Sequence, residues 1–402
     1  MIAFTNANVI DCTGAQPILN ATVVVNARRI EAVGTAVGIP GGATIIDLRG
    51  KTLLPAFSDA HTHYGGTDRL TRPGLGGADA TYDYALSGRD CLNWGVTTVR
   101  SAGDFMPDIV AHRDDIAAKH LHAPRILASG RIFVAPGGHP LYTVFGGSEP
   151  IRDNACVVCS EDTDIDAEVR SLADAGVDWI KAVLSTMNKM NYPHPVPRLP
   201  HETLRKITEA AHKHGKPVML HVETPNDIEE AAELGVDCIE HVIGVGTTCF
   251  DLPDALIDKL VTSGICIVPT MASIKAHDGM LSGAELVYHH LQKAVKKMAD
   301  SGVNLAIGCD SGIPFVPVGE SVHTEIELFA SSGIAPLETL RIATSGNAKL
   351  FKLDADLGKI APGKLADIIV LNADPLADIR NTRQIALVMK EGRIVLDRLF
   401  AD

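Results

Sequence analysis

Short alternating runs of hydrophobic and polar residues occupy both ends of the chain. Residues 1–50 contain IAFTNANVI, ATVVVNARRIEAVG and ATIIDLRG, separated by turn residues and without helical periodicity. This pattern is typical of strands, and two similar runs, GKLADIIVLN and IALVMKEGRIVLD, return near the C-terminus. Because sheets of two or three strands are marginal alone, we predict one small β-sandwich domain built from residues 1–55 and 356–402.

The middle of the chain repeats a different unit, in which an apolar strand is followed by a loop and an amphipathic helix. Several of the helical stretches close with Gly, which is a helix stop signal. Eight strands are predicted in FSDAHTH, VTTVRSAG, PRILASG, DWIKAVLS, PVMLHVE, CIEH, CIVPT and VNLAIGCD. No Gly-rich phosphate loop follows the first strand, so the α/β pattern predicts a (β/α)8 TIM barrel over residues 56–355 rather than an open doubly wound sheet.

The first of these strands ends in two histidines, His61 and His63, within KTLLPAFSDAHTHYG. Residues i and i+2 of a strand point to the same side, so both imidazoles can reach one metal ion. The HxH pattern occurs twice more, at 120–122 and 212–214, but both of those pairs fall at the ends of predicted helices, where i and i+2 diverge. Only the first pair is therefore predicted to bind metal.

Other predicted strand ends carry groups of the same chemistry. Catalytic groups of barrel enzymes lie at the C-terminal ends of the strands. Here strand 4 carries Lys181, and strands 5, 6 and 8 end in His221, His241 and Asp310. Each residue alone could be structural, but imidazole and carboxylate together are ligands that zinc accepts. Their convergence on one rim predicts a metal site.

At this point the sequence resembles the amidohydrolase superfamily over almost its full length, and within it the imidazolonepropionase-like and prolidase-like metal-dependent enzymes. The matching segments are DAHTH, the lysine in DWIKAVLS, HVE, EH, GCDSG and GKIAPGKLADIIVLNADPL. The resemblance implies that His61, His63, His221, His241 and Asp310 occupy ligand positions. It also implies that Lys181 is carboxylated by CO₂ and bridges two divalent metal ions, for which zinc is expected.

The lysine also has a physical rationale of its own. A bare ammonium group that faces the interior from an apolar strand is costly, and carbamate formation turns this cation into a bridging anion. The alternative is a lysine that extends to solvent or pairs with Asp178. In the family pattern, true imidazolonepropionases are mononuclear and lack a lysine at this position. The presence of Lys181 therefore favours a binuclear centre.

The predicted reaction is hydrolysis of an amide C–N bond in a small molecule, such as an N-acyl amino acid or a dipeptide, by a metal-bridging hydroxide. Asp310 is expected to move the proton to the leaving amine. Two alternatives remain open within the metal enzymes: hydrolysis of a cyclic amide, carbamate or ester, and deamination by a mononuclear centre. A third is a non-catalytic binding protein, which missing ligands would indicate, and none is missing.

Substrate contacts are expected from two loops on the same rim. GGH in the loop after strand 3 resembles the family pattern in which the histidine faces the substrate, so His139 is a candidate catalytic residue and, with Tyr142, a substrate-binding residue. The loop after strand 4 offers four more groups, of which a cation could pair with a substrate carboxylate. These four are Lys189, Tyr192, His194 and Arg198.

Three departures from the family pattern affect the expected pocket. Ala56 replaces a common Gly on the first strand, and Val242 replaces another after strand 6. Glu223 stands where prolidase-like members often carry a second histidine, beside the substrate. The predicted metal site is complete, whereas dipeptide specificity is in doubt.

Composition narrows the partners. Lys and Arg total 36 and Asp and Glu total 49, giving a formal net charge of −13, which does not fit a nucleic-acid partner. No apolar run reaches the roughly 18 residues needed to span a bilayer, and MIAFTNANVID is unlike a signal peptide. Scattered cysteines suit reduced thiols. We expect a cytoplasmic enzyme with a small-molecule substrate and no membrane partner. We also expect a homo-oligomer, by analogy with enzymes of this shape.

Overall fold

The computed structural model describes residues 1–66, 83–119, 121–144, 149–186, 194–242, 251–277 and 284–399. Within these residues, strands from both ends of the chain form one eight-stranded sheet, ordered β18-β17-β16-β5-β1-β2-β3, with β4 paired to β1. Its strands are β1 (Ile2–Val9), β2 (Ile18–Asn26), β3 (Arg29–Gly34), β4 (Thr44–Asp47), β5 (Thr52–Pro55), β16 (Ile368–Leu371), β17 (Ile385–Lys390) and β18 (Arg393–Asp397).

The two termini meet where β5 pairs antiparallel with β16, with Leu53 opposite Val370. Both residues lie in buried apolar surface, Leu53 in a cluster that also contains Phe4 and Leu387. We call this eight-stranded unit the terminal sheet. The prediction that both ends contribute to one sheet is confirmed, whereas the sandwich arrangement and the domain boundaries stay predictions.

Between these strands the chain forms two sheets in which every pairing is parallel. One has three strands, β6 (Phe57–Thr62), β7 (Val96–Ser101) and β8 (Arg125–Leu127). The other has the order β10-β9-β11-β12-β13-β14-β15. Its strands are β9 (Ile132–Val134), β10 (Cys156–Val158), β11 (Ile180–Leu184), β12 (Val218–Val222), β13 (Cys238–His241), β14 (Cys266–Val268) and β15 (Asn304–Leu305).

Backbone hydrogen bonds connect these two parallel sheets at both edges. Next to β8, the carbonyl of Ala128 accepts from the amides of Asp178 and Trp179 at 2.7 and 3.2 Å. At the opposite edge, the amide of Ala60 in β6 donates to the carbonyl of Ile307 at 2.9 Å. All eight predicted strands are present. Two further strands were not predicted: β9, because 132–134 was placed in a loop, and β10.

Twelve α-helices are described: α1 (Tyr84–Asn93), α2 (Asp108–Lys119), α3 (Glu149–Ala155), α4 (Ile165–Asp174), α5 (His201–Lys213), α6 (Pro225–Leu234), α7 (Asp254–Ser263), α8 (Met271–Ala276), α9 (Ala284–Asp300), α10 (Ser321–Ser331), α11 (Pro336–Arg341) and α12 (Asn347–Leu350). A π-helical turn (Ile342–Gly346) and a 3-10 helix (Ile379–Arg383) complete the elements. None of the described helices is long and apolar enough to cross a membrane.

Local sequence explains where individual helices begin and end. In α6, Thr224 and Asp227 form a reciprocal capping box, Pro225 occupies the first turn, and Gly235 ends the helix at φ 68°. Such caps fix the ends of helices that cover the parallel strands, and a single buried apolar cluster joins helices such as α5 to strands such as β12. The strand ends that carry polar groups are therefore held on a rigid scaffold.

Candidate metal centre

Five of the predicted metal-binding residues lie at or just after the carboxyl ends of parallel strands, whereas Lys181 lies near the start of its strand. His61 lies in β6 and His63 follows it, while Asp310 comes after β15. Lys181, His221 and His241 lie in β11, β12 and β13, which are adjacent in one sheet. All of these residues are buried except His63, which is partly exposed.

Three of them form a compact cluster. Nε2 of His61 lies 3.4 Å from Oδ1 of Asp310, and Nε2 of His63 lies 3.3 Å from the same oxygen. The candidate ligand atoms of the three residues lie within 4.8 Å of one another. Two imidazoles and a carboxylate at this spacing can bind one divalent ion such as zinc.

The remaining two histidines lie directly beside this cluster. The rings of His221 and His241 have centroids 4.2 Å apart, and the ring of His241 lies 4.8 Å from that of His61. The structure therefore brings together all four histidines and Asp310. A second group of imidazole ligands, His221 and His241, is available next to the first.

Each of these five side chains has a hydrogen-bond partner in the protein on one of its polar atoms. The bonded pairs are His61 Nδ1 with Glu240 Oε2 (2.6 Å), His63 Nδ1 with the Gly103 carbonyl (3.1 Å), His221 Nε2 with Glu223 Oε1 (2.6 Å), His241 Nδ1 with Thr270 Oγ1 (2.8 Å) and Asp310 Oδ2 with Ser273 Oγ (3.0 Å). Metal-binding histidines typically have such a partner on the second nitrogen, because it fixes the tautomer and the ring orientation.

The strongest of these supports is a buried ion pair behind His61. Arg100 and Glu240 are both fully buried, and Nη2 of Arg100 donates to Oε1 of Glu240 at 2.6 Å. Nε of Arg100 also donates to the carbonyl of Ala60 at 2.7 Å, so one side chain connects β7 to β6 and β13. Burial alone would raise the pKa of Glu240, but Arg100 and His61 hold it at about 2.

Two of the four imidazoles, those of His61 and His221, are held in the neutral form that binds metal, whereas the pKa of His63 is raised because its contact with Asp310 outweighs burial. Burial, followed by the charge of Lys181, lowers the pKa of His61 to about 4. Burial and the neighbouring His241 lower the pKa of His221 well below its usual value. A neutral ring keeps a lone pair available without first losing a proton.

Lys181 differs from the other five residues because no described residue forms a hydrogen bond with its Nζ. The residue is 2% exposed, and its Nζ makes no hydrogen bond to any described residue. Burial lowers its pKa to about 8. Neither simple alternative holds, since Lys181 does not reach solvent and the carboxylate of Asp178 instead bonds to Arg113 at 2.9 Å and to the amide of Ala128 at 2.8 Å.

Unusual backbone conformations cluster at the same strand ends. His241, Val242 and Asp310 have φ values of 81°, 75° and 56°, in the left-handed region that L-residues seldom adopt. Such conformations persist where the surroundings enforce them, and they are common at functional sites. Val242 is the most unusual of the three because its side chain is β-branched.

Gly312 explains part of the GCDSG motif. It has a φ of 87°, and a Cβ built at this position would lie 1.9 Å from the backbone oxygen of His63. Only glycine allows the loop after β15 to approach His63 this closely. The glycine therefore helps to bring Asp310 beside the two histidines of β6.

The candidate substrate residues are placed less uniformly. The ring of His139 lies 4.9 Å from that of His221, and its Nδ1 contacts Thr143 Oγ1 at 2.6 Å, so His139 does border the cluster. Tyr142 belongs to the same turn and is 67% exposed. Glu223, expected beside the substrate, is only 4% exposed and bonds to His221.

The loop after β11 contributes little that can be described. Lys189 and Tyr192 lie outside the described residues, and His194 is exposed. Arg198 donates to Asp227 at 3.0 Å and also to Glu230. Because its charge is already paired, Arg198 is a poor candidate for binding a substrate carboxylate.

Several supporting residues escaped the sequence analysis. Arg100 and Glu240 each left a signal, because a charged residue within an apolar strand, VTTVRS or CIEH, needs a buried partner. Thr270 and Ser273 left none, since hydroxyl residues are common at the start of a helix.

A family model described as "Amidohydrolase family" matches residues 52–395. Ochratoxinase of Aspergillus niger is 26% identical, with 94% of this chain and 83% of that protein covered. The 5'-deoxyadenosine deaminase of Methanothermobacter thermautotrophicus is 25% identical, with 92% and 84% covered. Among solved structures, a Xaa-Pro dipeptidase with bound methionine in its active site superposes with a TM-score of 0.82 at 25% identity, covering 98% of this chain and 99% of that one.

Proposed function

Because the chain belongs to the amidohydrolase family, we propose that it is a binuclear metal-dependent hydrolase that cleaves an amide C–N bond of a small molecule. The family and its named relatives support a hydrolase acting on C–N bonds. The finer parts of the proposal are the two metal ions, with zinc expected, and a substrate such as an N-acyl amino acid or a dipeptide.

The buried Nζ of Lys181, which has no hydrogen-bond partner within the described ranges, carries the proposal of a binuclear centre. A buried ammonium without any acceptor is costly, and the neutral amine can add CO₂ and release a proton to give a carbamate. The donor set around it fits two divalent ions: His61, His63 and Asp310 offer one set of ligand atoms, and His221 and His241 offer a second. The carbamate on Lys181 would bridge them.

When bound, the metal ions would acidify water and polarise the scissile carbonyl. The protein supplies the proton transfer. Oδ2 of Asp310 is held by the hydroxyl of Ser273, and Oδ1 faces the two imidazoles of β6. From this position Asp310 takes the proton from the attacking water and delivers it to the leaving amine.

Residues at the mouth of the site would position the substrate. His139 borders His221, and Tyr142 presents an exposed aromatic ring on the same turn. We assign His139 to a catalytic contact with the substrate carbonyl and Tyr142 to substrate binding. The similarity to a Xaa-Pro dipeptidase supports a dipeptide-like substrate.

The second candidate is a mononuclear deaminase or a hydrolase of a cyclic amide, carbamate or ester. The relative named as a deaminase is the observation that favours it. Against the mononuclear form stands Lys181, whose buried amine would have no function at a one-metal centre. A non-catalytic binding protein is the least favoured, since every predicted ligand position is filled.

The proposal extends to the architecture and assembly. We propose that the parallel strands, linked at both edges, form the closed (β/α)8 barrel of residues 56–355. Residues 1–55 and 356–402 would form the accompanying small β-sandwich domain. We also propose a cytoplasmic homo-oligomer whose partner is a small-molecule substrate.

A substrate panel tests the reaction. Protein prepared with zinc and bicarbonate is assayed against N-acyl amino acids, dipeptides, lactams, carbamates, esters and adenosine derivatives. Hydrolysis of a linear amide that is lost on chelation and in Asp310→Asn, but retained in the surface variant Asp300→Asn, would support the proposal. Release of ammonia from an adenosine derivative, together with no hydrolysis of the amide substrates, would overturn the proposal in favour of a deaminase.

A further inference from the structure

One short helix orients candidate ligands that come from two different strands. Thr270, the residue before α8, places its hydroxyl 2.8 Å from Nδ1 of His241. Ser273, within the first turn of α8, donates its hydroxyl to Oδ2 of Asp310 at 3.0 Å. The start of α8 therefore contacts both ends of the proposed centre, at β13 and after β15.

A buried glutamate from another helix holds this first turn. Oε1 of Glu325 in α10 accepts from the amide of Met271 at 3.0 Å, and Oε2 accepts from the amide of Ala272 at 2.5 Å. These amides belong to the first turn of α8, where backbone donors have no partner within the helix. Each carboxyl oxygen of Glu325 thus holds one backbone amide between Thr270 and Ser273.

The burial of Glu325 is unusual for a residue that only caps a helix. Its exposure is 0%, and no ion pair to it occurs among the described residues. Burying a carboxyl group without a cation is costly, and burial raises the pKa of Glu325 to about 8. An exposed Ser, Thr or Asp would cap the helix without this cost.

The backbone at Thr270 also needs support. Thr270 has a φ of 51°, which is unfavourable for a β-branched residue, yet this conformation directs its hydroxyl to His241. Glu325 accepts hydrogen bonds from the next two amides, and these bonds restrain the strained backbone at Thr270.

We propose that Glu325 is a positioning residue for the metal centre, because it fixes the first turn of α8 and thereby the hydroxyls that orient His241 and Asp310. This inference rests on the proposed function, in which these two residues bind metal. Glu325 itself would contact neither metal nor substrate.

A purely structural role makes a different prediction. If Glu325 only stabilised α8 against α10, its replacement would lower the melting temperature of the metal-free protein and leave the zinc affinity of the folded protein unchanged. If it acts through the two hydroxyls, its effect on zinc affinity must disappear once those hydroxyls are removed.

The test is a mutant cycle read out as zinc affinity by competition with a chelator. Its members are wild type, Glu325→Gln, the double variant Thr270→Val/Ser273→Ala, and the triple variant. The Gln side chain keeps one oxygen that can accept a hydrogen bond, but its NH2 group faces the second backbone amide, which is itself a donor. Glu325→Gln should weaken zinc binding about tenfold, as replacement of supporting residues typically does, and the double variant should do at least the same. The triple variant should bind no more weakly than the double.

Glu327→Gln is the matched control, because Glu327 lies on the same helix and bonds to Arg383. It should keep the zinc affinity of the wild type. If Glu325→Gln does not fold, Glu325→Asp, which withdraws the carboxylate by one methylene, enters the cycle instead with the same expectation.

Equal weakening by the Glu325 change in both backgrounds would overturn the inference, and so would a lower melting temperature with unchanged zinc affinity. Failure of the wild type to bind zinc would instead contradict the proposed function. The two failures are therefore distinguishable in one data set.

Discussion

The terminal sheet and the carboxyl ends of the parallel strands bury different kinds of side chain. In the terminal sheet, Leu53 and Leu387 pack into an apolar cluster. On the parallel strands, Arg100 and Glu240 are fully buried as an ion pair, and Lys181 is buried with no hydrogen-bond partner in the part of the chain that the structure describes. The first region gains stability from the transfer of apolar surface out of water.

The second region gains little stability from its burial, because desolvation of charged groups offsets their attraction. Ligand binding would explain its arrangement, since each candidate histidine and Asp310 has a supporting hydrogen-bond partner in the protein. The stability of the terminal sheet should therefore depend mainly on packing, whereas the site should depend on charge pairing and on metal.

The largest effect should follow from removal of the unpartnered amine. Lys181→Ala should lower kcat about a thousandfold or more, since the contribution of a bridged metal centre amounts to several kcal/mol. The variant should fold at least as stably in the metal-free form, because a buried ammonium is lost. Lys206→Ala, at a surface position on α5, is the control and should retain full activity.

Breaking the buried ion pair should cost the most stability. Arg100→Met leaves Glu240 as a buried carboxylate without its cation, which should lower the free energy of unfolding by about 3–5 kcal/mol. Adding Glu240→Gln should recover much of this loss, because no charge then remains unpaired. Urea unfolding of the metal-free proteins measures the free energy of unfolding of the single and double variants. Equal losses in the two variants would contradict a stabilising pair between Arg100 and Glu240.

Truncation within the terminal sheet should affect stability alone. Leu53→Ala removes a fully buried side chain and should cost about 2–5 kcal/mol. Zinc content and kcat of the folded variant should match the wild type. A loss of bound zinc in this variant would show that the two regions are coupled more closely than the comparison implies.

The smallest effect is a dependence of stability on pH. Burial raises the pKa of Glu325 from 4.5 to about 8. Between these values the folded protein keeps a proton that the unfolded chain has released, so stability should fall as pH rises, by at most about 1.4 kcal/mol per pH unit. Asp59, which faces Glu325, adds the same trend below its raised pKa of about 6.

Glu325→Gln should remove its own part of this slope and leave that of Asp59. Urea unfolding at pH 5.5, 6.5 and 7.5 compares Glu325→Gln with wild type and with Glu327→Gln. The histidines titrate equally in these three proteins, so their contribution cancels in the comparison. The same slope in Glu325→Gln as in wild type would contradict the assignment.

Local patterns were sufficient to predict much of the fold and the candidate ligands. Apolar runs that follow helices closed by glycine placed β11, β12 and β13, and the i, i+2 spacing of His61 and His63 placed both on one side of a strand end. Each of these inferences depends only on neighbours in sequence or on the rule that parallel strands end at one edge.

The supporting contacts could not be predicted in this way. Arg100 and Glu240 are 140 residues apart, and Ser273 and Asp310 are 37 apart, so their pairing depends on strand order and register. The sequence predicted Glu223 beside the substrate, but the end of β12 sets the orientation of its side chain towards His221. The extra strand β9 was missed since three residues give no usable periodicity.

The central claim is that these strand ends hold two metal ions bridged by a carboxylated Lys181. Anomalous diffraction at the zinc edge from crystals grown with zinc and bicarbonate tests it most directly. The account predicts two peaks, about 3.5–4 Å apart as in other two-metal sites, with electron density extending beyond Nζ of Lys181 to both. A single peak beside His61 and His63, with a bare amine at Lys181, would contradict it.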